Sequence, residues 1–217
     1  MTWIQQIFGE SVQLSHVLSI FLGCYILGCF TTGYYLVRWH LGQDVRETGS
    51  GNVGAKNVGR LLGAYGFIIT LLGDFAKGVL AVWVTRHFFD DYRLMGFAML
   101  SVTMGHIWPL QLGLRGGKGV ATSLGAMAIY DFHLALAFAA ITIGLFVFLR
   151  RITLSGLLAF ALLPLAVTFM EPRALRAVVV SLLAGMILLS HRKNLLEEFT
   201  GYSERRAART KDNPSTK

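Results

Sequence analysis

Charge is the first thing this 217-residue chain is short of. Asp, Glu, Lys and Arg make up 15% of it, where a soluble domain carries about 25% to keep its surface wetted. With 54% hydrophobic residues and a mean hydropathy of +0.55, the shortage argues against a soluble domain. Cysteine is nearly absent. Cys24 and Cys29 share the first apolar run, with no metal-ligand spacing and no neighbouring His. They read as small packing residues, and neither a redox pair nor a metal site is expected. A cleavable leader is not expected either, because the first apolar run is long and ends in a basic loop.

What is present is a series of apolar runs, each near the roughly 20 residues needed to cross a bilayer core. They cover about residues 14–37, 61–85, 94–112, 132–149, 153–170 and 174–190. The shorter stretch 120–130, rich in Gly, Ala, Ser and Thr, suits tight helix packing and counts as another span. The expected fold is therefore all-α, a polytopic membrane protein with about seven transmembrane helices. Residues 1–201 form one transmembrane domain and 202–217 a polar, basic tail.

Basic residues orient it. Arg38, Arg46, Lys56 and Arg60, then Arg115 and Lys118, then Arg150 and Arg151, then His191, Arg192 and Lys193 fall in alternate loops. Seven crossings put all of them on one side, with the N-terminus outside and the C-terminus cytoplasmic. Six would break the alternation. The net charge of +8 then reflects cytoplasmic loops beside an anionic membrane rather than nucleic-acid binding.

Three polar segments on that side carry most of the chemical information. The first runs from Asp44 through Arg46, Gly49, Ser50, Gly51, Asn52, Gly54, Lys56 and Asn57 to Arg60. Its glycines free the backbone to present N–H groups to an anion, and Ser50, Asn52 and Asn57 add side-chain donors. Arg60 offers a forked cationic contact. The segment leads into the second span, whose helix N-terminus favours negative charge. The second segment runs from Gly105-His106 to Arg115-Gly116-Gly117-Lys118-Gly119, two cations flanking a glycine pair before a helix. It is not a Walker A loop, since Gly119 follows Lys118 and position 112 is Leu, so ATP is not expected. His106 reads equally as a hydrogen-bonded core residue or a site residue. The third is His191-Arg192-Lys193-Asn194, where His191 and Asn194 share a helical face. Within the second span, Asp74 and Lys77 stand one turn apart and read as a structural ion pair.

Taken together, these segments resemble the bacterial acyl-phosphate-dependent glycerol-3-phosphate acyltransferases. That family's pattern is Gly-Ser-Gly-Asn-x-Gly-Ala-Thr-Asn followed by Arg, then Gly-His-x-x-Pro ending in Gly-Gly-Lys-Gly-Val-Ala-Thr, then His-Arg-x-Asn. Asp74, Lys77 and Gly78 also fit its Asp-x-x-Lys-Gly. The resemblance implies transfer of a fatty acyl group from acyl phosphate to the 1-hydroxyl of sn-glycerol 3-phosphate, giving lysophosphatidic acid and phosphate. It implies a catalytic set of Ser50, Arg60, Lys118, His191 and Asn194. Substrate-binding roles fall to Gly49, Gly51, Asn52, Gly54, Asn57, His106, Arg115, Gly116, Gly117 and Gly119.

No cofactor or metal is implied. The expected partners are acyl phosphate, glycerol 3-phosphate and membrane lipids, with no nucleic acid, and the expected setting is a monomer in the bacterial inner membrane with its site facing the cytoplasm. Three departures stand out: Lys56 where the family has Thr, Glu197 for a basic residue, and Glu204 one place late behind Ser203.

Other chemistries lack their signatures. No His is followed by Asp five residues later, and the loops hold neither an obvious Ser–His–Asp or Cys–His arrangement nor a metal-binding aspartate cluster. Direct transfer without an acyl-enzyme is therefore expected. The rival is a relative that binds or transports an organic phosphate. The internal repetition and broken helices common in transporters are not evident in the sequence.

Overall fold

The computed structural model describes residues 12–170, 174–193 and 195–196. Among these it is all-helical: α1 Leu14–Cys29, α2 Thr32–Leu41, α3 Ala55–Phe89, α4 Tyr92–Ile107, α5 Val120–Tyr130, α6 Phe132–Leu149, α7 Ile152–Met170 and α8 Ala174–Ser190. Short 3-10 turns occupy Val45–Glu47 and Leu110–Leu112. Four stretches are long and apolar enough to cross a membrane: Leu14–Leu41, Ala55–Phe89, Phe132–Leu149 and Ile152–Phe169. Val120–Tyr130 and Ala174–Ser190 are apolar but shorter. At 1.5 Å per residue α5 reaches only about 16 Å, roughly half a hydrocarbon core. Large apolar side chains such as Trp39, Phe88, Phe148 and Phe169 point outward, each more than 70% exposed, as a lipid-facing surface requires.

Two helix pairs cross at backbone contact, and glycine is the reason. Gly28 of α1 lies on the Val102 carbonyl of α4, while Gly105 of α4 lies on the Tyr25 carbonyl of α1. Gly78 of α3 and Gly125 of α5 are likewise set against the Thr122 and Phe75 carbonyls. A Cβ at any of the four would collide with backbone, and small residues are what permits such crossings in lipid. One core cluster, including Met99, Met127, Phe160 and Leu183, runs through the bundle. A second, of Leu36, Val37, Val45, Val53 and Val58, lies beneath the glycine-rich loop and fixes its base.

The first span departs from expectation. It is interrupted at Phe30 and Thr31, and the Asp74–Lys77 pair closes the gap. Lys77 Nζ donates to the carbonyls of Gly28 (3.0 Å) and Phe30 (2.7 Å) that the end of α1 leaves open. Asp74 Oδ1 accepts from Thr32 N (3.3 Å) and Thr32 Oγ1 (3.1 Å) at the start of α2. The two charges are 3.1 Å apart. Backbone groups away from water must find partners inside the protein, and here two side chains supply them. The structural reading of this pair is the one the geometry matches, though the broken helix was not foreseen.

The second and third spans differ too. Gly63, at φ 66° and ψ −157°, breaks α3, so residues 55–62 form a separate leg before the long helix. The helix N-terminus facing the glycine-rich loop belongs to this leg and not to the span. The third run stops as a helix at Ile107, and Leu110–Leu112 is a 3-10 turn.

Candidate active site

The glycine-rich loop is held from within. Asn57, 2% exposed, donates from Nδ2 to the carbonyls of Val45 and Thr48, both at 3.0 Å. Its Oδ1 accepts the Ser50 N–H at 3.0 Å. Asn57 is thus a brace, and neither its amide nor the Ser50 N–H faces a ligand. Gly49 turns at φ +56° directly over Asn57 Oδ1, and the Arg60 guanidinium lies on the same residue. A side chain there would be strained and would also strike Asn57. Gly51 (φ +68°) closes the turn by donating to the Thr48 carbonyl at 3.0 Å. Gly54 caps the 55–62 leg, accepting from Asn57 N and Val58 N, with the Asn52 amide beside it. Ser50 itself is exposed.

Arg46 ties this loop to the next. It forks onto Asp44 (Nε–Oδ1 3.0 Å, NH2–Oδ2 2.6 Å) and donates from NH1 to the Leu112 carbonyl at 2.7 Å. The guanidinium holds the Asp44 carboxyl below its ordinary range, against the opposing effect of burial. The same Asp-x-Arg fork recurs at Asp91 and Arg93 (2.6 Å) at the start of α4.

In the second segment the structure separates residues that the sequence groups together. Gly116 N donates to the Ile107 carbonyl and Gly117 N to the His106 carbonyl, so these N–H groups do not cradle an anion. Gly117 lies against the His106 ring and Gly116 against the His106 carbonyl and Pro109. His106 is 3% exposed, with Nδ1 2.8 Å from Lys77 Nζ. It belongs to the buried network that mends the first span, the core alternative of the two readings. Gly119, at φ +81°, starts α5. Arg115 turns to a cavity of about 420 Å³ lined also by Asp44, Arg46, Glu47, Leu112 and Gly113.

Lys118 goes elsewhere. Its carbonyl lies 3.0 Å from Ser190 Oγ at the end of α8, and its charge acts on His191. His191 is 4% exposed, with Nδ1 2.8 Å from the Ile187 carbonyl. A carbonyl only accepts, so Nδ1 carries the proton and Nε2 of the neutral ring presents a lone pair. Burial depresses the His191 pKa; the Ile187 bond works the other way, and Lys118 and Lys56 depress it further. The ring is therefore neutral at pH 7. Asn194, Glu197, Ser203, Glu204 and the 202–217 tail lie outside the described residues.

A third tie completes the gathering. Lys56 Nζ donates to Thr153 Oγ1 of α7 at 2.9 Å. Both polar loops, the start of α7 and the end of α8 thus meet at one end of the bundle. Residues 18–201 match the model of the glycerol-3-phosphate acyltransferase family. The chain belongs to that family.

Relatives of this acyltransferase support the match over most of its length. It is 44% identical to glycerol-3-phosphate acyltransferase 1 of Desulfitobacterium hafniense (strain Y51) over 189 residues, covering 87% of this chain and 94% of the relative. Its fold is similar to crystal structures of PlsY (YgiH), an integral membrane glycerol 3-phosphate acyltransferase. For the glycerol 3-phosphate form the TM-score is 0.76 at 30% identity, and for the lysophosphatidic acid form 0.74 at 29%. Both comparisons cover 85% of this chain and 92% of the other.

Reading loops alone left two residues out of the candidate site. Lys56 is noticeable as a departure from the family pattern, but its direction is set by Thr153, 97 residues away. Thr153 carries no signal of its own.

Proposed function

We propose that this acyltransferase takes a fatty acyl group from acyl phosphate and passes it to the 1-hydroxyl of sn-glycerol 3-phosphate. The hydroxyl oxygen attacks the acyl carbonyl carbon and the bond to the phosphate oxygen breaks. The hydroxyl proton leaves on the released phosphate, so the products are lysophosphatidic acid and inorganic phosphate. Supporting this reading above all is the meeting of Lys118 with the neutral His191 (Nε2 lone pair available) beside the Arg60 and Ser50 loop. Arg60 and Lys118 balance phosphate charge, Ser50 donates a hydrogen bond, and His191 Nε2 accepts one from the attacking hydroxyl. Asn194 completes the catalytic set. Gly49, Gly51, Asn52 and Gly54 shape the loop with Asn57 as its brace, and Arg115 guides anions in from the neighbouring cavity.

The acyl donor is already an activated mixed anhydride, so positioning and charge stabilisation supply most of the rate. A depressed pKa makes His191 a weak base, which favours a phosphate oxygen as the proton acceptor. No acyl-enzyme forms. The apolar helices accept the acyl chain from the bilayer. The enzyme works as a monomer in the bacterial inner membrane, crossing it seven times with its site on the cytoplasmic face. Support for that sidedness comes from the basic loops and from their ties at one end of the bundle. The test supplies purified enzyme with acyl phosphate and glycerol 3-phosphate and follows lysophosphatidic acid and phosphate. A trapped acyl-enzyme would overturn direct transfer. A well-folded protein that binds glycerol 3-phosphate but forms no product with any chain length would point instead to a phosphate binder or transporter.

A further inference from the structure

Lys56 occupies an unfavourable place for a cation. It is the second residue of the 55–62 leg, whose first turn contains no acidic residue. A helix N-terminus repels positive charge. Arg60 lies four residues on, where like charges share a face and repel. Among the described residues neither side chain pairs with a carboxylate, and the recorded bond of Lys56 is to the neutral hydroxyl of Thr153. Lys118 approaches from the second loop, and both lysines act on the same neutral imidazole, His191. Two lysines therefore act on one buried, uncharged ring, one of them at a helix N-terminus, and Arg60 stands one turn further along that leg. Such an arrangement is relieved by a multiply charged anion.

We propose that Lys56 is a specificity-determining ligand of a substrate phosphate in this chain, aimed into the site by its hydrogen bond to Thr153. This rests on the acyl-transfer reading above and adds a residue to it. An ammonium has three protons. Thr153 takes one, and the other two serve a phosphate dianion held between Lys118 and the Arg60 loop. The chemistry is shared by glycerol 3-phosphate, acyl phosphate and the product phosphate. Thr153 is a positioning residue that acts through Lys56.

The test compares wild type with Lys56→Gln, Lys56→Arg and Thr153→Val, measuring KM for each substrate, kcat, and inhibition by inorganic phosphate. Losing one charge-assisted contact raises the KM of one phosphate substrate by about tenfold or more in Lys56→Gln, with kcat changed by less than about threefold. Which KM moves identifies the phosphate that Lys56 holds. Lys56→Arg recovers most of the loss, and Thr153→Val gives a smaller rise in the same KM. Both KM values and the phosphate inhibition constant staying within about twofold of wild type would overturn the proposal. A fall confined to kcat or to thermal stability would overturn it too. If wild type forms no lysophosphatidic acid, the reaction assignment fails separately, and thermal protection by inorganic phosphate still tests Lys56. Protection weaker in Lys56→Gln than in wild type supports the ligand role, and equal protection rejects it.

Discussion

Asp74, Lys77 and His106, inside the helices, contact one another and the backbone of the broken first span. At the loop end, Lys56 and Arg60 face no carboxylate among the described residues. The buried set is 3–5% exposed and holds equal numbers of obligatory charges, while the loop set is exposed and of one sign. Burial explains the contrast. A charge in an apolar interior must be paired by the protein itself, whereas a charge at a wetted rim persists unpaired until a ligand arrives. The same residue types therefore build structure in one place and, in the proposed function, bind anions in the other.

The sharpest way to break this comparison is Lys77→Met. It leaves Asp74 buried without its cation and opens the Gly28 and Phe30 carbonyls, and a loss of about 3–5 kcal/mol is expected. Thermal unfolding in detergent reads it, and Asp74→Asn combined with Lys77→Met should recover part. An unchanged unfolding temperature would mean the pair does not mend the helix. Lys118→Ala should keep the helical circular dichroism and lose about 100- to 1,000-fold in turnover. Near-normal turnover would remove Lys118 from the site.

Asn57→Ala lies between the two regions, because Asn57 is a buried brace for an exposed loop. Three backbone groups lose their bond to Asn57, the Ser50 N–H among them losing its acceptor, at about 1–3 kcal/mol; KM for glycerol 3-phosphate should rise with the loop's disorder. A stability loss with unaltered kinetics would separate the loop from the site. His191 supplies a pH test. Its folded pKa lies below the ordinary 6.5, so the unfolded chain binds the proton more readily. Its contribution to stability is constant above about pH 6.5 and declines as pH falls through and below that value. Unfolding temperatures between pH 7.5 and 5 should fall more in wild type than in His191→Asn; parallel curves would contradict a buried neutral ring. The smallest effect belongs to Arg86→Ala. Its partner Asp90 is 3.9 Å away and both are well exposed, so stability should change by less than about 0.5 kcal/mol.

Much of the proposed site's membership was legible because it is local. The glycine-rich loop, Arg60, Lys118 and His191 stand in short polar segments between apolar runs, and phosphate chemistry demands those residue types. Geometry within the segments was less legible. Gly116 and Gly117 look like an anion cradle, but they are small because His106 and Pro109 press on them. Asn57 looks like a ligand donor but holds Val45, Thr48 and Ser50. A sequence shows which groups are available, and the same group satisfies a neighbour or a substrate depending on which is within reach.

Length and hydropathy alone made this chain a bundle of apolar helices, since about 20 residues without charge have no other low-energy home than a bilayer. The break at Phe30 was beyond reach of that logic. Lys77, which caps the Phe30 carbonyl, lies 47 residues away in sequence, and local propensity carries no trace of it. Where the two polar loops meet was likewise decided by packing: Gly28 against Val102 and Gly105, Gly78 against Thr122, and Gly125 against Phe75 let the helices cross at backbone contact. Hydrophobicity is a property of residues and can be read one at a time. The satisfaction of a buried polar group is a property of pairs, and only the folded chain brings the pairs together.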